Sequence, residues 1–170
     1  MKRRNLVKIA VSALLAIIMI AFIGCSTPAK AKTFEKAGMS IELTNEFTEK
    51  EMVQFTACYM SSTVIVTVLK EEFSLVQGFE NYTLMQYAGL VIRNNQIDVT
   101  AQMSEDDKYA YFRYDKTVTG KDFTYWATCF KSDDAFWLIQ FACETKNYEE
   151  MAATFEKYAD SVTFVVDDAQ

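Results

Sequence analysis

The residues of this chain able to do chemistry are acids, thiols and aromatics, and their spacing restricts what they can do. No histidine occurs anywhere in the sequence. That removes Ser-His-Asp and Cys-His nucleophile arrangements, the usual general base near neutral pH, HExxH zinc sites and two-His metal triads. Adjacent carboxylate pairs do occur, among them Glu71-Glu72, Asp106-Asp107, Asp133-Asp134 and Glu149-Glu150. A two-carboxylate glycosidase needs such groups converging in a cleft. Asp133-Asp134 reads instead as a hairpin turn, and Glu149-Glu150 as a first helical turn, where acids suit the helix dipole. Asp106-Asp107 lacks the alternating ligand spacing of a calcium loop. No CxxC pair and no glycine-rich phosphate loop occur. The sequence therefore gives no catalytic residue, no metal ligand set and no cofactor site, and predicts a protein that is not an enzyme.

Cys58, Cys129 and Cys143 lie in apolar alternating runs. If the turn between the last two is even, Cys143 lies opposite Thr124 and Cys129 opposite Leu138, on opposite faces of a sheet. An odd turn puts them on one face but about four residues apart, roughly 13 Å. Both arrangements exceed disulfide reach. Buried free thiols are expected, with a Cys58 bridge to one of the others left open. Three aromatics, Tyr109, Tyr111 and Trp126, are the candidates for lining a small-ligand pocket. A two-residue turn at Thr119-Gly120 would set Arg113 opposite Trp126, close enough for a cation–π pair.

The first 24 residues predict an export leader. Met1 to Lys8 is short and basic, Ile9 to Ile23 is apolar almost throughout, and Gly24-Cys25-Ser26 follows. AFIGCS resembles a bacterial lipobox, with Phe22 where Leu is usual. The resemblance implies diacylglyceryl transfer to the Cys25 thiol and cleavage between Gly24 and Cys25. Two acyl chains or more hold a protein stably on a bilayer, at roughly 0.8 kcal/mol per buried methylene. An uncleaved membrane span and a chance Cys after an ordinary signal are the other readings. Lipidation and the uncleaved span both place the rest of the chain outside the cytoplasmic membrane, on its extracytoplasmic side. Residues 25–37 then read as a polar tether.

The chain has 170 residues, and one domain of 146 would remain after cleavage. Losing Lys2, Arg3, Arg4 and Lys8 takes the formal net charge from −6 to −10. An acidic surface repels phosphate backbones, so no nucleic-acid partner is expected. Membrane attachment must then be covalent or hydrophobic.

The elements that position these residues follow from hydrophobic period. Strands are expected at 38–43, 53–62 and 62–70, with a loop over 71–82. Thr83 with Gln86 opens a helix whose apolar face is Leu84, Tyr87, Ala88, Val91 and Ile92. Strands at 98–104, 109–118, 121–131 and 136–144 form an antiparallel meander. Asn147, with Glu150 three residues on, has the spacing of a second capping box. Met151, Phe155, Tyr158, Ala159 and Val162 form the face of the helix it opens, and 163–166 reads as a closing strand.

This order resembles the PsbP-like α/β/α sandwich, a mainly antiparallel α+β sheet flanked by helices. The resemblance is carried by GMSIELTNEF, KDFTYWATCF…AFWLIQFACE and NYEEMAATFEKYADSVTF, within a domain read over 38–168. It implies an accessory or docking role, with a protein partner the sequence does not identify. No metal-ligand set matching a cofactor role is visible. A small-ligand-binding lipoprotein with an aromatic-lined pocket is the alternative. A sheet covered on both faces with no pocket above ~300 Å³ would favour docking, and a sizeable aromatic cavity would favour a ligand.

Overall fold

A computed structural model describes residues 29–165. Gly24, Cys25 and the rest of the leader lie outside the described residues, as does Val166, the last residue of the expected closing strand. The strands are β1 (Ala31–Lys36), β2 (Met39–Thr44), β3 (Thr48–Glu49), β4 (Ala57–Met60), β5 (Val64–Glu72), β6 (Gln102–Met103), β7 (Ala110–Val118), β8 (Lys121–Lys131), β9 (Ala135–Glu144) and β10 (Thr163–Phe164). The helices are α1 (Leu84–Asn94), between β5 and β6, and α2 (Tyr148–Asp160), between β9 and β10. None of the described helices is long and apolar enough to cross a membrane.

β5, β9, β8 and β7 are long, rich in β-branched and aromatic residues, and neighbours in space. They form the centre of a seven-stranded antiparallel sheet of order β3-β4-β5-β9-β8-β7-β6. Alternation sends Val66, Val68, Trp137, Ile139, Phe141, Trp126 and Phe130 to one face, under α2 and a smaller sheet of order β1-β2-β10. Phe112, Tyr125, Ala127, Cys129, Phe136 and Leu138 go to the other face, under α1 and the loop before it. Both faces are thus sealed, which gives the α+β architecture expected from the hydrophobic pattern.

Four local readings change. Residues 31–36, read as tether, form β1, paired along its length with β2 so that Phe34 packs on Tyr59 at 4.8 Å. The expected strand over 53–62 shrinks to β4 because residues 53–56 turn, and the strand over 98–104 shrinks to β6. Asn147 does not cap α2 through its side chain. A 3₁₀ turn over Thr145–Asn147 holds it at φ −99° and ψ −7°, a helical conformation in which its side chain makes no cap hydrogen bond. Thr83 does cap α1: its Oγ1 accepts from Gln86 N at 3.2 Å, and Gln86 Oε1 accepts from Thr83 N at 2.8 Å.

The β7–β8 hairpin has the two-residue turn expected, with Thr119 at φ 49° and Gly120 at φ 80°. Two positive φ values make a type I′ turn, whose twist matches the flanking strands. That turn fixes the register and sets Arg113 opposite Trp126.

Candidate functional site

Tyr109, Tyr111 and Trp126 do come together. Their ring centroids lie 6.0 Å apart for Tyr109–Trp126, 5.7 Å for Tyr111–Trp126 and 6.3 Å for Tyr109–Tyr111. The cluster nonetheless lines neither of the two grooves described below. Tyr109 and Trp126 are each only 4% exposed, inside the core between the sheet and α2. Tyr109 Oη donates to Asp160 Oδ1 at 3.2 Å, tying β7 to the last turn of α2. Burial, with the Asp160 carboxylate beside it, pushes that phenol well above its ordinary pKa. The residues expected to hold a ligand hold the helix instead.

Arg113 also finds a different partner. Its guanidinium lies 4.5 Å from the Tyr148 ring centroid and 3.6 Å from the Glu149 carboxylate, both in the first turn of α2. Trp126, directly opposite on the ladder, is already covered by Tyr109, Tyr111 and Phe141.

The three cysteines of the domain are buried free thiols. The β8–β9 turn is even, so Cys143 pairs with Thr124 and Cys129 with Leu138, on opposite faces. Burial pushes the thiols of Cys58 and Cys143 up to about 11 and that of Cys129 further still, which keeps them protonated and unreactive.

The carboxylate pairs do not converge. Asp134 bonds Lys70 Nζ at 2.6 Å, and that contact holds its carboxyl below the ordinary value. Asp106 accepts from Ser104 Oγ at 2.8 Å, which lowers its carboxyl too. Glu71 is only 7% exposed under α1, and desolvation raises its pKa. Tyr87 Oη lies near enough to influence that carboxyl, but closes no hydrogen bond of good geometry. Among the described residues, no group of three or more His, Cys, Asp or Glu could hold a metal ion.

Two open grooves remain. The larger, about 880 Å³, lies where the β1–β2 turn faces the β8–β9 turn. Trp137 and Phe164 form its floor, 5.1 Å apart, and Lys70 and Asp134 stand on its wall. Several of its polar groups are internally satisfied. Trp137 Nε1 donates to Ser132 Oγ at 3.0 Å, and Lys131 Nζ donates to the carbonyls of Glu80 at 2.6 Å and Tyr82 at 2.9 Å. Lys70, with an 18% exposed side chain, lies 5.3 Å from the Trp137 ring. Local sequence reading missed this groove because it depends on the pairing of Lys70 with Trp137 across strands 67 residues apart. The available signal was alternation, which puts Lys70 on the same face as Val66 and Val68. The second groove, about 510 Å³, lies between residues 95–99 and β7 at Arg113 to Lys116.

Solved structures share this arrangement. Cyanobacterial PsbP from Synechocystis sp. PCC 6803 matches with a TM-score of 0.50 and 9% identity, over 86% of this chain and 99% of that one. The Saccharomyces cerevisiae Ran-binding protein Mog1p matches at 0.54 and 8%, over 81% and 97%. The chain has the PsbP-like fold. A Bacteroides thetaiotaomicron protein matches at 0.53 and 10%, over 83% of this chain and 50% of that one. No protein-family model matches the sequence, and no curated protein matches it by sequence. At these identities the likeness concerns the PsbP-like backbone and assigns no residue a role.

Proposed function

We propose that this chain is a membrane-anchored extracytoplasmic lipoprotein whose PsbP-like domain is a non-catalytic docking module for a protein partner. The observation that carries the docking reading is the use made of the aromatic candidates. Tyr109, Tyr111 and Trp126 are spent on sealing α2 to the sheet, and what stays accessible is open surface in which Lys70 pairs with Asp134. A solved structure with the same fold supports the role by analogy, since Mog1p is a Ran-binding protein.

The anchor rests on Cys25 and its lipobox-like context. With the lipid there, only residues 26–30 separate the bilayer from β1. β1 spans six residues, about 20 Å, from that proximal end to the large groove at Glu35 to Ser40. The groove then faces away from the membrane, with Val165, 70% exposed, on its rim. This orientation suits capture of a partner outside the cell membrane.

Two experiments test the proposal. Cys25→Ala should abolish acyl labelling and leave an unprocessed or released protein; unchanged labelling refutes lipidation there. A photocrosslinking residue at Val165 should capture one discrete protein in intact cells. Absence of protein adducts, with the chain folded and exported, would count against docking. A second reading, ligand binding, draws on the aromatic floor of the large groove: at about 880 Å³ it does not meet the condition set above for docking, no pocket over ~300 Å³, although it is an open groove and not an enclosed cavity. Native mass spectrometry of the protein purified from its own cells would show a bound adduct if that reading holds.

A further inference from the structure

β7 has an unused hydrogen-bonding edge. Its outer neighbour, β6, pairs only at Gln102 with Tyr111 and Met103 with Ala110. From Phe112 to Val118 no strand among the described residues covers that side. The direction of each backbone group follows from the hairpin. A two-residue turn makes Val118 and Lys121 a hydrogen-bonded pair, so Phe112, Tyr114, Lys116 and Val118 point their N–H and C=O groups toward β8. Arg113, Asp115 and Thr117 therefore aim theirs outward. The bond from Ser104 N to Tyr109 O, on the outer side two residues before Tyr111, fits the same alternation. No backbone partner for Arg113, Asp115 or Thr117 occurs on that side among the described residues. The 510 Å³ groove runs along this edge.

We propose that this edge of β7 takes an extended peptide of a protein partner by antiparallel strand addition, with an acidic residue facing Arg113 and a basic one facing Asp115. Main-chain bonds to Arg113, Asp115 and Thr117 supply affinity, and the alternating charges set register and partner. Charged side chains, Lys above all, Pro and bulges are the usual defences of an exposed edge, and a charged edge pairs only with a strand whose charges complement it. This one carries Arg113 and Asp115, of opposite sign, on one face, and no Pro; the Arg113 side chain stays 49% exposed beside Glu149, and Asp115 Oδ1 accepts from Thr124 Oγ1 at 2.6 Å. The inference rests on the docking reading and adds a second contact surface, apart from the groove at Val165.

A second copy of the chain fits poorly. A two-fold pairing centred on Asp115 sets the two Asp115 carboxylates against each other. Centring it on Tyr114 joins Arg113 to Asp115 but drives Thr117 of the other copy into the place of Gln102 beside Tyr111.

The test uses the full chain in detergent micelles with two synthetic pentapeptides. Thr-Val-Lys-Val-Glu, running antiparallel to β7, sets its Lys against Asp115 and its Glu against Arg113. Thr-Val-Glu-Val-Lys reverses both. The first should slow amide hydrogen exchange at Arg113, Asp115 and Thr117 by about tenfold, and the second should not. Thr117→Pro removes an outward N–H while sparing the β7–β8 ladder, and should weaken binding of the first probe by about tenfold. If that variant does not fold, Arg113→Glu combined with Asp115→Lys should bind the swapped probe in preference. No slowing by the first probe, equal slowing by both, or binding indifferent to these substitutions overturns the proposal. In cells, partner capture from a crosslinker at Val165 but not at Thr117 would overturn the edge and leave docking standing; capture from neither position would end both.

Discussion

Arg113 and Tyr148 join the meander to α2: the guanidinium on the outermost long strand lies 4.5 Å from the centroid of the first ring of the helix. Glu149 closes the other side of the same guanidinium at 3.6 Å, but its side chain is 84% exposed, so the ion pair is screened and weak. Tyr148 is buried, and its phenol is raised by desolvation with the nearby Arg113 charge acting against that rise. Because Asn147 makes no side-chain cap, this contact and the packing of Tyr148 on Phe155 are what fix the start of α2.

Replacing Arg113 by Ala should therefore cost about 0.5–1 kcal/mol, the worth of one partly exposed cation–π contact. Glu149→Ala should change stability by less than ~0.5 kcal/mol. Urea unfolding of the two variants checks this. Equal losses would mean that the ion pair, and not the ring contact, seats the helix.

The two helix starts give a paired prediction. Thr83→Ala removes a reciprocal cap and should cost about 1 kcal/mol. Asn147→Ala removes no hydrogen bond at its helix start and should cost less than ~0.5 kcal/mol. Chemical denaturation of both, with helix content followed by circular dichroism, tests the contrast.

These two caps show how far the sequence could be read. Both segments carry the same spacing of a capping residue and an amide or acid three positions on, but the pattern does not record the conformation of the preceding residues. At Thr83 the chain arrives extended, at ψ 164°, and the cap closes. At Asn147 it arrives through a 3₁₀ turn and the cap cannot form. The central meander was legible because its apolar alternation is continuous and its turns short. β1 was not, because AKTFEK buries only Phe34 and gains its strand identity from pairing with β2. The grooves were least legible of all. The pairing of Lys70 with Trp137 and the seating of Phe164 on Phe130 arise between distant segments, and no local spacing encodes them.

Glu71 supplies a pH test of the α1 side. Its carboxyl is buried among Tyr87, Phe136 and Cys129, with no ion pair, and desolvation raises its pKa from the ordinary 4.5. The folded chain therefore holds that proton more tightly than the unfolded chain does. By linkage, this contribution to stability is complete below the unfolded carboxyl value and is lost as pH rises through the raised folded one. Glu71→Gln keeps the shape and removes the charge, so the variant should lack that decline and be more stable than the parent above it. Thermal unfolding of both proteins from pH 4 upward makes the comparison. Parallel profiles would show that water reaches the Glu71 carboxylate and that α1 does not keep it dry.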